Sequence, residues 1–298
     1  MSKYVLAIDV GGTFVDTVIS SSDGKTQHNK FPKEWLDRED SPFKKLIDPE
    51  TEYTLYYSST LPLNRLLEGH LPKVALIVNK GFHSIMETAR LPKSQPDEPI
   101  RSLVPLELVK EVSGRIDYKG EETEELCSNE ITKIGQWLFK QEIEAVIIAL
   151  LNSTIEPSHE LRIAELIKLQ NQNLLVIPSC KVVSEQSEYE RTLAAIFSGC
   201  LASSFKKDVE ELIQRLPSTP SKTYIMRSNG GISKMSLDSQ LPVETLLSGP
   251  AAAATRVRTV ATQIGTANAI SLDVGGTSTD ISIISSGEWD IVSEVKLA

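Results

Sequence analysis

The strongest constraint on this chain is an octapeptide that occurs twice. Asp9-Val10-Gly11-Gly12-Thr13-Phe14-Val15-Asp16 and Asp273-Val274-Gly275-Gly276-Thr277-Ser278-Thr279-Asp280 agree at six of eight positions. Apolar strand-like runs flank each copy: Tyr4 to Ile8 and Val15 to Ile19 around the first, Ala269 to Val274 and Ile281 to Ile284 around the second. The period is too long for a solenoid and predicts a duplicated strand–turn–strand unit, one hairpin in each half. A Gly-Gly turn lets backbone approach a ligand without Cβ obstruction and permits positive φ. Its N–H groups form a concavity suited to phosphate oxygens. The threonine hydroxyl adds a donor. An aspartate ending the first strand can hold magnesium through water, because that ion keeps several waters and takes few carboxylates. The bland alternative is a plain tight hairpin. There is no Walker A pattern, and no G-x-G-x-x-G in the Rossmann arrangement.

Strand-like and helical stretches alternate along the remaining sequence, predicting an α/β architecture. Strands are expected at Tyr53 to Ser58, Val74 to Val78, Ile143 to Leu151, Leu174 to Ile177 and Thr223 to Met226, with a third terminal strand at Trp289 to Val295. Helices are expected at Leu61 to Leu67 capped by Thr60, Phe82 to Ala89, Asn129 to Lys140 capped by Ser128, and Ser158 to Gln170. Two more are Ser187 to Leu216, interrupted by Gly199, and Pro250 to Ile264, closed by Gly265. Pro92, Pro96, Pro99 and Pro105 mark a loop, while Glu34 to Pro49 carries no clear signal.

Of the 298 residues, 40% are hydrophobic and 24% charged, enough for a real core. The net charge of −9 argues against wrapping nucleic acid or an anionic membrane, both of which reward a basic surface. Cys127, Cys180 and Cys200 are widely spaced and form no C-x-x-C, as expected of reduced cysteines in a cytoplasmic protein. The longest apolar run, Ala145 to Leu151, falls well short of the roughly 20 residues of a membrane helix.

Two such hairpins in one chain resemble the two phosphate loops of the actin, hsp70 and sugar-kinase superfamily. Seen as an ordered set, the motifs resemble the hydantoinase A / 5-oxoprolinase family, which includes subunits of ATP-dependent ketone carboxylases. They are the opening hairpin, Ser59-Thr60 to Asn64-Leu67, Lys80-Gly81-Phe82 with Glu87 and Arg90, and Glu156-Pro157-Ser158-His159-Glu160. Glu188 to Thr192, Ser228 to Gly231, Ser248-Gly249-Pro250-Ala251 and the second hairpin complete them. The chain departs from the family at Ser58-Ser59-Thr60, where G-T-T is usual.

The resemblance implies an actin-like ATPase (ribonuclease H-like) first domain over residues 1–250. An incomplete second domain, residues 251–298, would begin with a connecting helix and the second hairpin. It implies ATP with Mg2+ (or Mn2+) as cofactors. Asp9 and Asp273 would hold the metal. Asp9, Gly11, Gly12, Thr13, Asp16, Asn229, Gly230, Gly231, Gly249, Gly275, Gly276, Thr277, Thr279 and Asp280 would form the nucleotide site. Asn229 to Gly231 reads equally as a turn, Glu188, Glu190 and Arg191 as a solvated helix face, and His159 with Glu160 as a helix start. The Glu121 to Glu125 cluster reads as solvated. Because 18 residues follow Asp280 (298 minus 280), too few for a second sheet with its helices, completion by larger partner subunits is expected, with lost nucleotide binding or a truncated chain as the alternatives. The expected function is therefore a subunit, inactive alone, of an acetophenone-carboxylase-type enzyme acting on a small carbonyl substrate. The alternatives are a non-catalytic scaffold subunit and an ATP-dependent hydantoinase/oxoprolinase amidohydrolase.

Overall fold

The computed structural model describes residues 4–38, 40–69, 71–88, 104–184, 186–235, 242–274 and 279–288. The expected strand at Trp289 to Val295, Arg90 and most of the proline-marked loop lie outside them. The chain forms two compact units, one of residues 1–68 with 204–298 and one of residues 69–203.

The first unit is built on a six-stranded sheet. Its strands are β1 (Tyr4–Val10), β2 (Phe14–Ser21), β3 (Thr26–Pro32), β4 (Tyr53–Ser59), β11 (Lys222–Met226) and β12 (Ile232–Lys234), in the order β12-β11-β4-β1-β2-β3. The meander β1–β2–β3 is antiparallel, β1, β4 and β11 run parallel, and β12 returns antiparallel. Alternation places Leu6, Ile8, Val10, Val15 and Ile19 in one core. Phe205, Val209 and Leu212 complete that core; they lie in α5 (Glu188–Arg215), whose residues 204–215 belong to this unit.

Two stretches of this unit differ from expectation. β3 is polar along almost its whole length and carries no strand signal. It is the edge strand, held to β2 by backbone pairing rather than by buried side chains. Residues 33–49 contain two 3-10 turns, Lys33–Asp37 and Pro42–Lys45, and bury Leu36, Phe43 and Ile47 in the same core.

The same unit holds α1 (Leu61–Glu68), α6 (Ser248–Gln263) and the antiparallel pair β13 (Ala269–Val274) and β14 (Thr279–Ile284). At the start of α1 the helix N–H of Leu61 bonds to Ser59 Oγ rather than to the expected Thr60. α6 begins two residues before Pro250, so Ser248 and Gly249 lie within it.

The second unit has a four-stranded parallel sheet, β10-β9-β5-β6, from β5 (Val74–Asn79), β6 (Val109–Val112), β9 (Ala145–Ile148) and β10 (Leu175–Pro178). β5 and β9 are buried at every position, as strands covered on both faces must be. α3 (Ser128–Phe139) and α4 (Ser158–Gln170) supply Ile131, Ile134, Leu138, Ile163 and Ile167 to the core over Ala75, Ile77, Val146 and Ile148. α3 starts at Ser128 itself, with Cys127 in the capping position and no side-chain bond there. The expected helix after Gly81 is reduced to α2 (Ile85–Thr88) among the described residues. A small hairpin, β7 (Arg115–Ile116) with β8 (Glu122–Glu124), completes the unit.

Candidate functional site

The first hairpin closes tightly. β1 and β2 pair in register with Asp9 opposite Asp16 and Val10 opposite Val15. The Gly11 N–H donates to Phe14 O at 2.9 Å, and a Cβ on Gly11 would sit 3.1 Å from that same oxygen. Neither Gly11 nor Gly12 has positive φ, so the expected use of left-handed backbone does not occur. Gly11 is required by close approach instead. Gly12 and Thr13 are exposed at the tip, and Thr13 O accepts from the Lys33 N–H at 2.9 Å.

Asp9 stands one residue before the end of β1. Its Oδ1 is buried and has no hydrogen-bond partner. Burial raises its carboxyl above the ordinary carboxylate range; Ser58 partly opposes this, and the charges of Asp16 and Asp273 add to it. Asp16 is held by Lys30 Nζ at 2.6 Å. A buried carboxylate oxygen without a donor, near two further carboxylates, suits a cation or its bound water. No group of three His, Cys, Asp or Glu able to hold a metal exists among the described residues. A Mg2+ or Mn2+ here would therefore be attached chiefly through water and phosphate, the habit of magnesium in nucleotide sites.

Around the end of β1 three segments converge. Ser58 lies beside Asp9 in the β1–β4 register, and Val10 O accepts from both the Thr60 N–H and Ser59 Oγ at 3.1 Å. The start of α6 docks on this turn. Ser58 Oγ donates to Ser248 Oγ at 3.2 Å, which in turn donates to Ser59 O at 3.3 Å. A Cβ on Gly249 would meet Thr60 Cγ2 at 3.4 Å, so the helix start lies close to the turn. This serine junction includes Ser58, where the resemblance leads one to expect glycine; its visible signals in the sequence are S-S-T at a strand end and S-G-P at a helix start.

Asn229, Gly230 and Gly231 form the β11–β12 turn: Arg227 N–H donates to Gly231 O at 2.8 Å, and Asn229 Oδ1 accepts from Gly231 N–H at 3.0 Å. Gly230 has φ +82°, which favours glycine. The neighbouring Ser228 Oγ accepts from Leu247 N–H at 3.0 Å, tying this turn to the entrance of α6.

In the second hairpin Asp273 pairs opposite Asp280 and Val274 opposite Thr279, repeating the register of the first. Gly275, Gly276 and Thr277 lie outside the described residues. Burial, with the Asp273 charge second, raises Asp280 above the ordinary range. The Asp273 charge adds to the upward shift of both Asp9 and Asp280.

The remaining motif residues lie in the second unit and have a structural use. Glu160, wholly buried, accepts from Leu150 N–H at 2.8 Å and Ser179 Oγ at 2.7 Å through Oε1, and from Cys180 N–H at 2.9 Å through Oε2. Arg191, also wholly buried, donates to Ser179 Oγ at 3.0 Å and Leu150 O at 2.8 Å. Arg191 is therefore no solvated face, and Glu160 is no helix cap. His159 Nε2 lies 2.6 Å from Glu122 Oε1, while residues 121–125 are otherwise exposed as expected.

Fold and hairpins together define an α/β protein of the actin-like ATPase type. The structure of acetone carboxylase superposes with a TM-score of 0.80 at 24% identity, covering 97% of this chain and 45% of that one. ATP-dependent caprolactamase from Pseudomonas jessenii superposes with a TM-score of 0.77 at 26% identity, covering 94% and 43%.

The chain belongs to the hydantoinase/oxoprolinase family: residues 5–170 match the family's N-terminal region and residues 191–298 its hydantoinase/oxoprolinase region. An uncharacterized protein of Methanocaldococcus jannaschii is 31% identical over 94% of this chain and 43% of its own length. The caprolactamase alpha subunit of Pseudomonas jessenii is 28% identical over 96% and 44%. The acetophenone carboxylase gamma subunit of Aromatoleum aromaticum is 26% identical over 93% and 42%. The chain thus spans less than half the length of the curated relatives it matches. Among the described residues no helix is long and apolar enough to cross a membrane.

Proposed function

We propose that this chain is a cytoplasmic subunit of an ATP-dependent ketone carboxylase of the acetophenone-carboxylase type, inactive alone and completed by larger subunits. Residues 1–250 carry the first phosphate hairpin, and residues 251–298 open the second half of the ATPase. This division follows the repeat, whereas the compact units reflect the segment 69–203 between α1 and residue 204. The observation that carries the reading is the buried, unpartnered Oδ1 of Asp9 in the field of Asp273, one aspartate from each hairpin.

ATP with Mg2+ or Mn2+ would supply a phosphoryl group that converts an enolate, amide or bicarbonate oxygen into a leaving group. The chain's own part is to hold and orient. Asp9 and Asp273 would hold the cation through its bound water. The Gly12 N–H and the hydroxyls of Thr13 and Thr279 would donate to phosphate oxygens, where charge develops, with Gly275, Gly276 and Thr277 expected to do the same, while Gly11, whose own N–H is used by Phe14 O, permits the close turn. Asp16 and Asp280 close each hairpin opposite its metal-side aspartate. Gly249 lets α6 approach the first turn, and Asn229 to Gly231, whose two glycine N–H groups are used within the β11–β12 turn, would shape the nucleotide side of the site rather than donate to it.

Asp9→Asn tests this in the assembled enzyme. Turnover of ATP should fall by about 10²-fold or more, the usual cost of removing one well-placed electrostatic group. Unchanged turnover would instead mark the chain as a scaffold. The likeness to caprolactamase in sequence and structure favours one second reading, an ATP-dependent amidohydrolase subunit. ATP hydrolysis that requires bicarbonate and a ketone selects the carboxylase; hydrolysis stimulated by a lactam or hydantoin without bicarbonate selects the amidohydrolase.

A further inference from the structure

A cavity of about 170 Å³ lies within the first unit, behind the opening hairpin. Its walls come from the ends of β1 and β4, the start of α1, the 3-10 turn Lys33–Asp37 and the last two turns of α5. Side chains alternate along β1, so Val10 faces the cavity while the Asp9 carboxyl lies on the opposite face of the sheet. Tyr57 lines it likewise, whereas Ser58, the neighbour of Asp9, does not. The cavity is therefore separate from the proposed phosphate and metal site. Its position is nonetheless one that open α/β sheets use for ligands. β1 pairs on one side with β2, which follows it directly, and on the other with the later β4. Strand order thus reverses between β1 and β4, and the cavity sits beside the carboxyl ends of these two parallel strands.

The lining has two parts. Val10, Leu36, Tyr57 and Leu212, each 7% exposed or less, make an apolar wall to which the half-buried Leu61 adds. Charged groups complete it. Asp208 is held by Arg65 through two contacts, one of them 2.7 Å. Asp37 and Glu211 share Arg215 at 2.7 and 3.5 Å, and Lys207 stands 3.8 Å from Glu211. Lys33 is left over. It is half-buried, and no carboxylate pairs with its ammonium among the described residues. An apolar wall beside one unmatched cation fits a molecule with an apolar body and a single negative charge. A cavity of roughly 150 Å³ admits benzene, which sets the size of that body. We infer that this cavity binds a small monocarboxylate, its apolar body against Val10, Leu36, Leu61 and Leu212 and its carboxylate on Lys33. The Lys33 N–H donates to Thr13 O at 2.9 Å, so the residue that holds the ligand also holds the hairpin tip. Carboxylation of a ketone and opening of a lactam both leave a carboxylate, so the ligand class matches the product under either reading of function, while the binding itself rests on neither.

The test is isothermal titration calorimetry of the full chain with sodium benzoate. Expected is one benzoate per chain with a dissociation constant of about 1 mM or tighter. Benzyl alcohol, which keeps the ring and lacks the charge, should bind about tenfold more weakly or beyond, and so should benzoate to Lys33→Gln. Lys25→Gln, at an exposed lysine of the same unit, should bind benzoate as the unaltered chain does. Leu61→Trp, which places an indole in the cavity, should keep its circular dichroism spectrum and lose benzoate. Absence of benzoate binding, equal affinity for benzyl alcohol, or undiminished affinity in Lys33→Gln or in folded Leu61→Trp would each overturn the inference. Because the titration contains no nucleotide, its failure would leave the ATPase reading standing, and undiminished turnover in Asp9→Asn would leave this cavity standing.

Discussion

At the residue scale the most informative atom is Asp9 Oδ1, buried without a partner. Burial, then Asp16 and Asp273, raises this carboxyl above its unfolded value. The folded protein therefore holds the proton more tightly than the unfolded chain. This group favours the fold fully below the ordinary carboxylate pKa and loses that contribution as pH rises through the raised value. Asp9→Asn, which never ionises, should raise the melting temperature at pH 7 to 8, with a gain that shrinks as pH falls through the raised value and is gone below the ordinary carboxylate pKa. Thermal melts across that range check it, and an activity loss accompanied by a stability gain is the mark of a functional residue held at a cost. Arg191 is the opposite case. Its guanidinium is wholly buried and shares Ser179 Oγ with Glu160. Arg191→Met should destabilise the fold by about 3–5 kcal/mol, because the buried Glu160 carboxylate loses its nearby positive charge. Urea unfolding measures this. Sequence reading reached Asp9 because its motif is local. It left Arg191 between two readings because an E-Y-E-R-T segment has the same pattern on a wet helix as on a buried one.

At the scale of elements, α5 shows how packing overrides propensity. Gly199 in mid-helix predicts an interruption, since glycine costs about 1 kcal/mol relative to alanine there. The helix instead runs unbroken from Glu188 to Arg215. Gly199 is retained for contact: a Cβ there would lie 2.9 Å from Ile147 Cδ1 and 3.4 Å from Ala145 Cβ, both in the buried β9. Gly199→Val should therefore destabilise by about 1–3 kcal/mol through overpacking and β-branching in a helix, readable as a lower urea midpoint. The edge strand β3 escaped detection for a related reason. Its side chains are largely exposed, and its place follows from the free edge of β2, which no window of Thr26 to Pro32 contains.

For the whole molecule, the repeat explains more than either hairpin alone. The first copy is enclosed by β4, the 3-10 turns and α5. The second carries the same aspartates in the same register yet leaves its aliphatic face open. The Asp273 charge adds to the upward shift of Asp9, and the aliphatic side chains of the second copy are exposed.

The sequence by itself determined the hairpins, the α/β alternation and the family, because turn chemistry and side-chain periodicity are local properties. Tertiary structure alone decided that Asp9 Oδ1 is unpartnered, that serines join the first turn to α6, that Glu160 and Arg191 are buried, and which face of β13–β14 is exposed. Each depends on groups brought together from distant parts of the chain. Burial of a charge or an aliphatic face is set by what packs against it, not by its neighbours in sequence.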